Sequence, residues 1–305
     1  MKSILYLSII LAGFTSCASS SKILPYGALD TDKSLFYYHT GKGDPIIFVH
    51  GGPGLNHRYF LPYLERLADS NHLIFYDQRA CGDSEIPVDT NKMSIAEFVN
   101  DITRIKEKFK LKKFHLLAHS WGATVALRYA MEHSDQLLSL ILVNPTAISS
   151  ADTKEASKLL SSRFDFSDQS KRSEILESSA FKQGEPSAYI ELFKLAFSKN
   201  MAIPSQVDSL NIYLPMDYLK KNAALRYLFK DLNDYDLYPQ LNKISCPVLT
   251  ISGDKDIGVT FIDKIKKELP NGRYEIIKES GHFPFLEQPK KFDQIVKEFI
   301  DKFKK

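Results

Sequence analysis

The chain has 305 residues, of which 44% are hydrophobic and 25% are charged, a balance typical of one large globular domain or of one domain with an insertion. Its net charge of +3 is spread over 40 basic and 37 acidic residues without a long block of one sign. This pattern argues against a nucleic-acid partner and against a polybasic membrane patch.

The N-terminal segment has the features of a signal peptide. Lys2 precedes an apolar run over residues 4–14, which is too short to cross a bilayer, and small residues then lead to Cys17. Residues 14–17, Phe-Thr-Ser-Cys, resemble a bacterial lipobox, in which the cysteine becomes the first mature residue and carries lipid on its thiol.

This segment also predicts where the protein is located. We expect a lipoprotein-type signal peptide over residues 1–16 and a tether over residues 17–33. Acyl chains on Cys17 would then anchor an exported protein at a membrane, facing the periplasm or the cell exterior. The alternative is an ordinary signal peptide cut near Ala18, which would leave the protein secreted.

From Ser34 onward, short apolar runs rich in β-branched and aromatic residues alternate with amphipathic stretches. The predicted strands span residues 34–40, 45–50, 72–78, 114–120, 138–144, 247–253 and 273–278. The predicted helices span residues 93–109, 121–132, 261–269 and 290–303. Strands that are apolar on both faces and separated by helices are typical of a mostly parallel sheet with helices on both sides. We therefore predict an α/β core built from residues 34–145 and 235–305.

A glycine-rich loop follows the second predicted strand. Residues 50–54 read His-Gly-Gly-Pro-Gly, and the glycines leave backbone N–H groups that no side chain crowds. Such a loop is suited to stabilise the oxyanion of a tetrahedral intermediate, with Gly51 or Gly52 as the donor. The alternative is a tight turn that needs glycine for its shape alone.

The stretch "FHLLAHSWGATVAL", residues 114–127, has the layout of a strand, a sharp turn and a helix, with Ser120 at the turn. In a nucleophile elbow, small residues are needed two positions before and after the serine, because strand and helix approach closely there. Gly122 meets this need, and Ala118 adds one methyl group. The N–H of Trp121 would be the other oxyanion donor. The alternative is a buried serine at a strand end.

Between the two halves of the core, residues 146–234 contain no convincing strand. Helical spacing appears instead, since five residues follow the i, i+3, i+4, i+7, i+8 pattern of one apolar face: Tyr189, Leu192, Phe193, Ala196 and Phe197. A segment of this length is too long for a plain loop. We expect a helical cap over the sheet.

The late part of the core offers an acid and a histidine to pair with Ser120. Of the eight histidines, only His282 follows the acidic residues near the late strands. Asp256 stands three residues after Gly253, which is far enough to turn back toward that histidine. Asp254 is the rival, with capping of the turn as its other role, whereas Asp263 already lies in the next helix.

Five motifs in this order resemble those of the prolyl aminopeptidase group of the α/β-hydrolase superfamily. They are "HGGPG" at 50–54, "DQRACGDS" at 77–84, "HSWG" at 119–122, "GDKD" at 253–256 and "GHFPFLEQP" at 281–289. The resemblance implies an α/β-hydrolase fold and a serine peptidase that releases an N-terminal residue, usually proline, from short peptides. Two glycines of the family are alanines here, at Ala80 and Ala118.

The same resemblance directs attention to acidic residues that would bind the free α-amino group of the substrate. In the family one such residue follows the catalytic acid and others lie on the cap, but here Ile257 follows Asp256. The cap offers five glutamates, each of which could equally be a solvated helix residue: Glu155, Glu174, Glu177, Glu185 and Glu191. We take Glu185 and Glu191 as the candidates for substrate binding.

The predicted reaction is acyl transfer to water. Ser120 attacks a carbonyl, His282 takes and returns the proton, and Asp256 orients the imidazole, so no metal or cofactor is required. An esterase or amidase acting on small acyl substrates is the alternative enzyme, and a lipid-anchored binding protein without catalysis is the alternative class. Cys81 and Cys246 form neither a metal-binding spacing nor a C-x-x-C pair. The sequence leaves the oligomeric state open.

Overall fold

The structure is a computed structural model that describes residues 27–28, 35–146 and 148–304. The predicted signal peptide, the predicted lipid site at Cys17 and most of the predicted tether lie outside these residues. Within the described part of the chain, no helix is both long and apolar enough to cross a membrane.

In the described ranges, eight strands form one sheet in the order β1-β2-β4-β3-β5-β6-β7-β8. The strands are β1 Gly27–Ala28, β2 Phe36–Thr40, β3 Asp44–Val49, β4 Asn71–Tyr76, β5 Phe114–His119, β6 Leu137–Val143, β7 Val248–Gly253 and β8 Arg273–Ile277. β2 pairs antiparallel with β1 and β4, and every other neighbouring pair is parallel. The predicted α/β class is therefore confirmed, with the antiparallel strands at one edge.

Helices cover both faces of the sheet. They are α1 Ile95–Lys108, α2 Gly122–His133, α3 Ser150–Ser162, α4 Phe166–Glu177, α5 Ser179–Lys182, α6 Pro186–Ser198, α7 Tyr218–Leu225, α8 Ile262–Glu268, α9 Pro284–Glu287 and α10 Pro289–Ile300. Apolar side chains of α1, α2 and α8 pack on one face, and those of α10 pack on the other. Because both faces are covered, the central strand β5 is buried along its whole length, and four of its six residues are apolar.

The ends of two helices differ from the predicted ones for local reasons. α1 begins at Ile95 rather than at 93, because Thr90–Met93 forms a separate 3-10 turn and the N-cap residue Ser94 has an extended backbone. α10 has Pro289 in its first turn, where the missing N–H costs nothing, and it ends at Ile300 before a last 3-10 turn.

Helices α3 to α7 all lie within the predicted cap, between β6 and β7. The two ends of this insertion meet at an isolated antiparallel bridge between Ser149 and Asp236. Around the bridge, the N–H of Ser150 donates to the carbonyl of Tyr235 at 2.9 Å, and the N–H of Leu237 donates to that of Ile148 at 3.0 Å. We call this paired base of the cap, residues 148–150 and 235–237, the neck.

Candidate active site

Ser120 occupies the sharp turn between β5 and α2. Its φ of +55° lies in the left-handed region, which costs a side-chain-bearing residue about 1–2 kcal/mol. The turn is held in place because the N–H of Ser120 donates to the carbonyl of Val143 on the neighbouring strand at 3.0 Å. This strained conformation is typical of a nucleophile elbow.

Close approach of the strand and helix explains the small residues on either side of Ser120. A Cβ at Gly122 would lie 2.4 Å from the carbonyl oxygen of Val49 and 2.8 Å from that of His50, so only glycine fits. Ala118 is fully buried beside Val49 in the sheet register, and its methyl group is part of the apolar core. The alanine at 118 is therefore accommodated, whereas a side chain at 122 would not be.

The three side chains predicted as a triad lie in hydrogen-bonding contact. Nδ1–H of His282 donates to Oδ2 of Asp256 at 2.5 Å, which leaves Nε2 to accept the proton of the Ser120 hydroxyl at 3.0 Å. Asp256 and His282 are both buried. The other carboxylate oxygen of Asp256 accepts from the N–H of Gly258 at 2.6 Å, which fixes the plane of the carboxylate.

The rival acid lies elsewhere. Asp254 accepts from the N–H of Ser280 at 3.3 Å and pairs with Lys255, so it holds the loop that follows β8 rather than the imidazole. Asp263 lies in the first turn of α8. Of the three aspartates after β7, the structure brings Asp256 to His282.

The glycine-rich loop lies against Ser120, and its two candidate donors differ. A Cβ at Gly51 would lie 3.0 Å from the Cβ of Ser120, but the N–H of Gly51 already donates to the hydroxyl of Tyr59 at 2.6 Å. Within the part of the chain that the structure describes, the N–H groups of Gly52 and Trp121 have no protein acceptor. Gly52 and Trp121 are therefore the pair suited to an oxyanion, and Gly51 is otherwise engaged.

His119, next to Ser120, belongs to a buried chain of hydrogen bonds. The hydroxyl of Tyr59 donates to Nδ1 of His119 at 2.8 Å, and Nε2–H of His119 donates to the carbonyl of His282 at 2.7 Å. Burial holds the pKa of His119 well below its usual range, so the ring is neutral. This series of hydrogen bonds connects the glycine-rich loop, the elbow and the loop that carries His282. None of its side chains carries a charge.

The "DQRACGDS" motif supports the glycine-rich loop from the side. Oδ1 of Asp77 accepts from both the N–H and Nδ1–H of His57, at 2.8 Å and 2.7 Å. The side chain of Gln78 donates to the carbonyl of His50 at 2.6 Å and accepts from the indole of Trp121 at 3.1 Å. The motif thus fixes residues on both sides of the candidate oxyanion donors.

Ala80 takes the left-handed conformation within the same motif, with a φ of +57°. Glycine adopts this region freely, which accounts for the family's glycine at this position.

Four residues around the site were not identified from the sequence. Tyr59 and Thr146 contact the elbow, the latter through its hydroxyl 3.3 Å from that of Ser120. Asn200 reaches Asp256 from the cap. Glu287 accepts from the N–H groups of residues 281 and 283, on either side of His282. Of these four residues, only Glu287 could have been identified from the sequence, because it lies within the quoted "GHFPFLEQP" motif.

The two glutamates named for substrate binding are exposed. Glu185 stands at the N-cap of α6, where the hydroxyl of Ser187 donates to it at 3.4 Å, and Glu191 lies on the outer face of the same helix. Among the described residues, neither carboxylate hydrogen-bonds to Ser120, Asp256 or His282. Their role in binding an amine stays a prediction.

Comparison with known proteins places this geometry among related chains. The family model of the alpha/beta hydrolase fold matches residues 44–289. A proline iminopeptidase of Heyndrickxia coagulans is 29% identical over 273 residues, covering 86% of this chain and 92% of the relative. A proline iminopeptidase of Lactobacillus delbrueckii subsp. bulgaricus is 27% identical over 299 residues, covering 92% and 97%.

Solved structures resemble the fold at lower identity. A proline iminopeptidase of Mycobacterium smegmatis superposes with a TM-score of 0.67 at 19% identity, covering 92% of this chain and 98% of that one. A thermophilic esterase of Thermogutta terrifontis superposes with a TM-score of 0.66 at 20% identity, covering 92% and 100%. At these identities the likeness concerns the fold, which peptidases and esterases share.

Proposed function

The chain belongs to the α/β-hydrolase fold family, and we propose that it is a serine aminopeptidase that releases N-terminal proline or another small residue from short peptides. Its similarity to the proline iminopeptidases extends over most of their length. The family membership and these relatives support a hydrolase, and the prolyl aminopeptidase type is part of the proposal. The serine mechanism and the substrate are the proposed part.

The hydrogen-bonded line from Ser120 through His282 to Asp256 is the observation that carries the proposal. A serine hydroxyl 3.0 Å from an imidazole nitrogen is within reach of general-base catalysis. The carboxylate 2.5 Å from the other nitrogen holds the ring in the tautomer that accepts the proton and stabilises the imidazolium that forms. The left-handed turn at Ser120 orients the hydroxyl, so the geometry exists before substrate arrives.

The reaction follows from this geometry. Ser120 attacks the carbonyl of the N-terminal residue while His282 takes the hydroxyl proton, and the N–H groups of Gly52 and Trp121 hold the resulting oxyanion. His282 then gives the proton to the leaving amine, which breaks the amide bond and leaves an acyl-enzyme. A water activated by the same imidazole releases the amino acid and restores Ser120.

The proposed substrate rests on the names of the relatives rather than on a contact in the site. The two relatives at 27–29% identity are both named proline iminopeptidases. A peptidase of this kind needs to recognise a free amine, and Glu185 and Glu191 are the proposed ligands. We also propose that the protein is exported and carries a lipid anchor at Cys17. The test is incorporation of labelled palmitate, which we expect Cys17→Ser to abolish.

Two substrates, a fluorophosphonate probe and one variant test the activity. We expect the protein to hydrolyse a proline arylamide and to reject the N-acylated form, because acylation removes the charged amine. Ser120→Ala is expected to lower kcat/KM by about 10⁴-fold or more and to abolish labelling by a fluorophosphonate probe. Full activity of Ser120→Ala would contradict the serine mechanism. Absence of both activity and labelling in the unmodified protein would favour a binding protein instead.

An esterase or amidase of small acyl substrates is the second candidate. The observation that favours it is the exposure of both candidate glutamates together with the buried, apolar Ile257 after Asp256. Faster hydrolysis of short-chain esters than of the free proline arylamide, with the N-acylated arylamide also accepted, would support this reading. Glu185→Gln and Glu191→Gln would then leave KM unchanged, whereas loss of an amine ligand raises it.

A further inference from the structure

The segment that follows α6 brings the cap into direct contact with the candidate acid and histidine. Residues 199–202 cross the loops that carry Asp256 and His282, and Asn200 is buried between them. This residue belongs to the cap, whereas the two residues that it contacts belong to the core.

The side-chain amide of Asn200 bonds to the same carboxylate oxygen as His282. Its Nδ2 donates to Oδ2 of Asp256 at 2.8 Å, while Nδ1–H of His282 donates to that oxygen at 2.5 Å. Two donors on one oxygen, together with Gly258 on the other, restrict rotation of the carboxylate. The direction in which Asp256 presents its charge to the imidazole therefore depends in part on Asn200.

The orientation of the amide is itself fixed. Its Oδ1 accepts from the N–H of Ile257 at 3.0 Å and from the guanidinium of Arg163 at 2.9 Å. A flipped amide would set its oxygen against the carboxylate of Asp256 and its NH₂ against two donors. Arg163 also donates to the carbonyls of Lys199 and Lys255, so it joins the cap segment to the loop of the acid.

The backbone of Asn200 contacts the histidine loop as closely. Its carbonyl accepts from the N–H of His282 at 2.7 Å. A Cβ at Gly281 would lie 2.2 Å from that carbonyl oxygen, so glycine at 281 allows the two segments to meet. Glu287 adds a second connection, because Oε2 accepts from the N–H of both Ala202 and Gly281.

From this arrangement we propose that Asn200 is a positioning residue through which the cap holds Asp256 and His282 in their working geometry. The inference rests on the proposed hydrolase function, since it assigns Asn200 a role within that reaction. Asn200 acts through Asp256 and touches neither the hydroxyl of Ser120 nor the site of the oxyanion. Its loss should reduce turnover rather than binding.

Asn200→Asp is the most direct variant. The aspartate keeps the size of the side chain and the acceptor for Ile257 and Arg163, but it replaces the donor to Asp256 by a second carboxylate. We expect kcat to fall by about 10-fold to 100-fold through misplacement of the imidazole, with KM unchanged. The added negative charge favours the protonated imidazole, so the acidic limb of the kcat/KM profile should move to higher pH. Asn200→Ala should lower kcat similarly, with a smaller displacement of that limb.

Asn71→Asp is the matched control. Asn71 is a buried asparagine at the start of β4 whose side chain donates to the carbonyl of Leu67 at 3.0 Å, and it has no contact with the triad. Both Asn→Asp variants are expected to lower Tm. Only Asn200→Asp should also lower kcat and move the acidic limb of the kcat/KM profile. A decrease in Tm alone would therefore not account for the result.

The outcomes separate this inference from the proposed function. If the unmodified protein hydrolyses its substrate and labels at Ser120, while Asn200→Asp keeps kcat and the pH profile of the unmodified protein, the role of Asn200 is wrong and the proposed function stands. A rise in KM with kcat unchanged would likewise overturn it, because a positioning role predicts the reverse. If the unmodified protein neither hydrolyses nor labels, the proposed function fails, and the role of Asn200 fails with it.

Discussion

The hydroxyl of Tyr59 lies 2.8 Å from Nδ1 of His119 and 2.6 Å from the backbone nitrogen of Gly51. It accepts from the glycine and donates to the histidine, so one oxygen atom joins the glycine-rich loop to the residue before Ser120. Both partners are buried away from bulk solvent.

Tyr59→Phe should destabilise the fold more than loss of an ordinary hydroxyl. It leaves the N–H of Gly51 and Nδ1 of His119 without a partner, which costs about 1–3 kcal/mol in the free energy of unfolding. Tyr63→Phe is the control, because it removes a hydroxyl that donates to the carbonyl of Ser209 in an exposed contact. Urea denaturation measures the free energy of unfolding of both variants. Equal losses of stability would contradict a special role for the buried hydrogen bonds of Tyr59.

Gly122→Ala should disturb the elbow. The new Cβ would lie 2.4 Å from the carbonyl oxygen of Val49, and backbone on both sides prevents an easy shift. We expect a loss of about 1–3 kcal/mol in stability and slower fluorophosphonate labelling of Ser120.

Gly272→Ala serves as the comparison for that variant. The three atoms nearest to a Cβ there all belong to the end of the Tyr274 side chain, at 2.9–3.1 Å, rather than to backbone. Gly272→Ala should lose less stability than Gly122→Ala. The rate at which fluorophosphonate labels Ser120 should be the same in Gly272→Ala as in the unmodified protein. Normal stability and labelling in Gly122→Ala would show that the strand and helix have more room than the structure gives them.

Stability should fall as the solution is acidified below pH 6.5. Burial lowers the pKa of His50 and of His115 to about 4 and holds that of His119 well below its usual range, whereas in the unfolded chain each titrates near 6.5. Between these values the unfolded state binds more protons than the folded state, so the stabilisation is fully present above pH 6.5 and is lost as pH falls toward 4. Each histidine adds a slope of about 1.4 kcal/mol per pH unit in that window.

Chemical denaturation at several pH values between 4.5 and 7.5 measures this slope. His115→Asn removes one of these three imidazoles with a lowered pKa, at a position in β5 whose Nδ1 contacts the hydroxyl of Ser139. The variant should show a shallower dependence of stability on pH. An unchanged slope would mean that His115 is not buried in the neutral form.

The two cysteines of the described chain should differ in reactivity. Burial raises the pKa of the Cys81 thiol to about 12 and that of Cys246 to about 11, and only Cys246 is partly exposed. We expect iodoacetamide to modify Cys246 slowly and Cys81 only after unfolding. Mass spectrometry of the labelled peptides distinguishes modification of these two cysteines from modification of Cys17. Equal labelling of both in the native protein would contradict the burial of Cys81.

Local patterns explain why much of the fold was predictable. Each core strand is a short apolar run bounded by polar or small residues, and the α/β class followed from their alternation with helices. Ser120 and His282 could be proposed together because strand ends at one edge of a parallel sheet meet, whatever lies between them in the chain. The spacing after Gly253 was enough to favour Asp256 over Asp254.

Contacts between distant segments explain what the sequence did not reveal. Asn200 and Asp256 are separated by 56 positions, and nothing near Asn200 marks it as different from other polar residues of the cap. The choice between Gly51 and Gly52 as oxyanion donor depended on Tyr59, eight residues after Gly51, whose hydroxyl accepts from the N–H of Gly51. Periodicity shows that a side chain is buried, but it does not show which polar atom the side chain meets.

The neck gives the cap a particular relation to the sheet. Because Ser149 and Asp236 pair, the insertion leaves and rejoins the core at one place, and its length or helix arrangement can change without a shift in β6 or β7. A cap exchanged for that of another enzyme would attach equally well at this point. We expect such an exchange to lower kcat by about 10-fold to 100-fold unless the new cap also supplied an amide group to Asp256, so a new cap would change turnover as well as substrate preference.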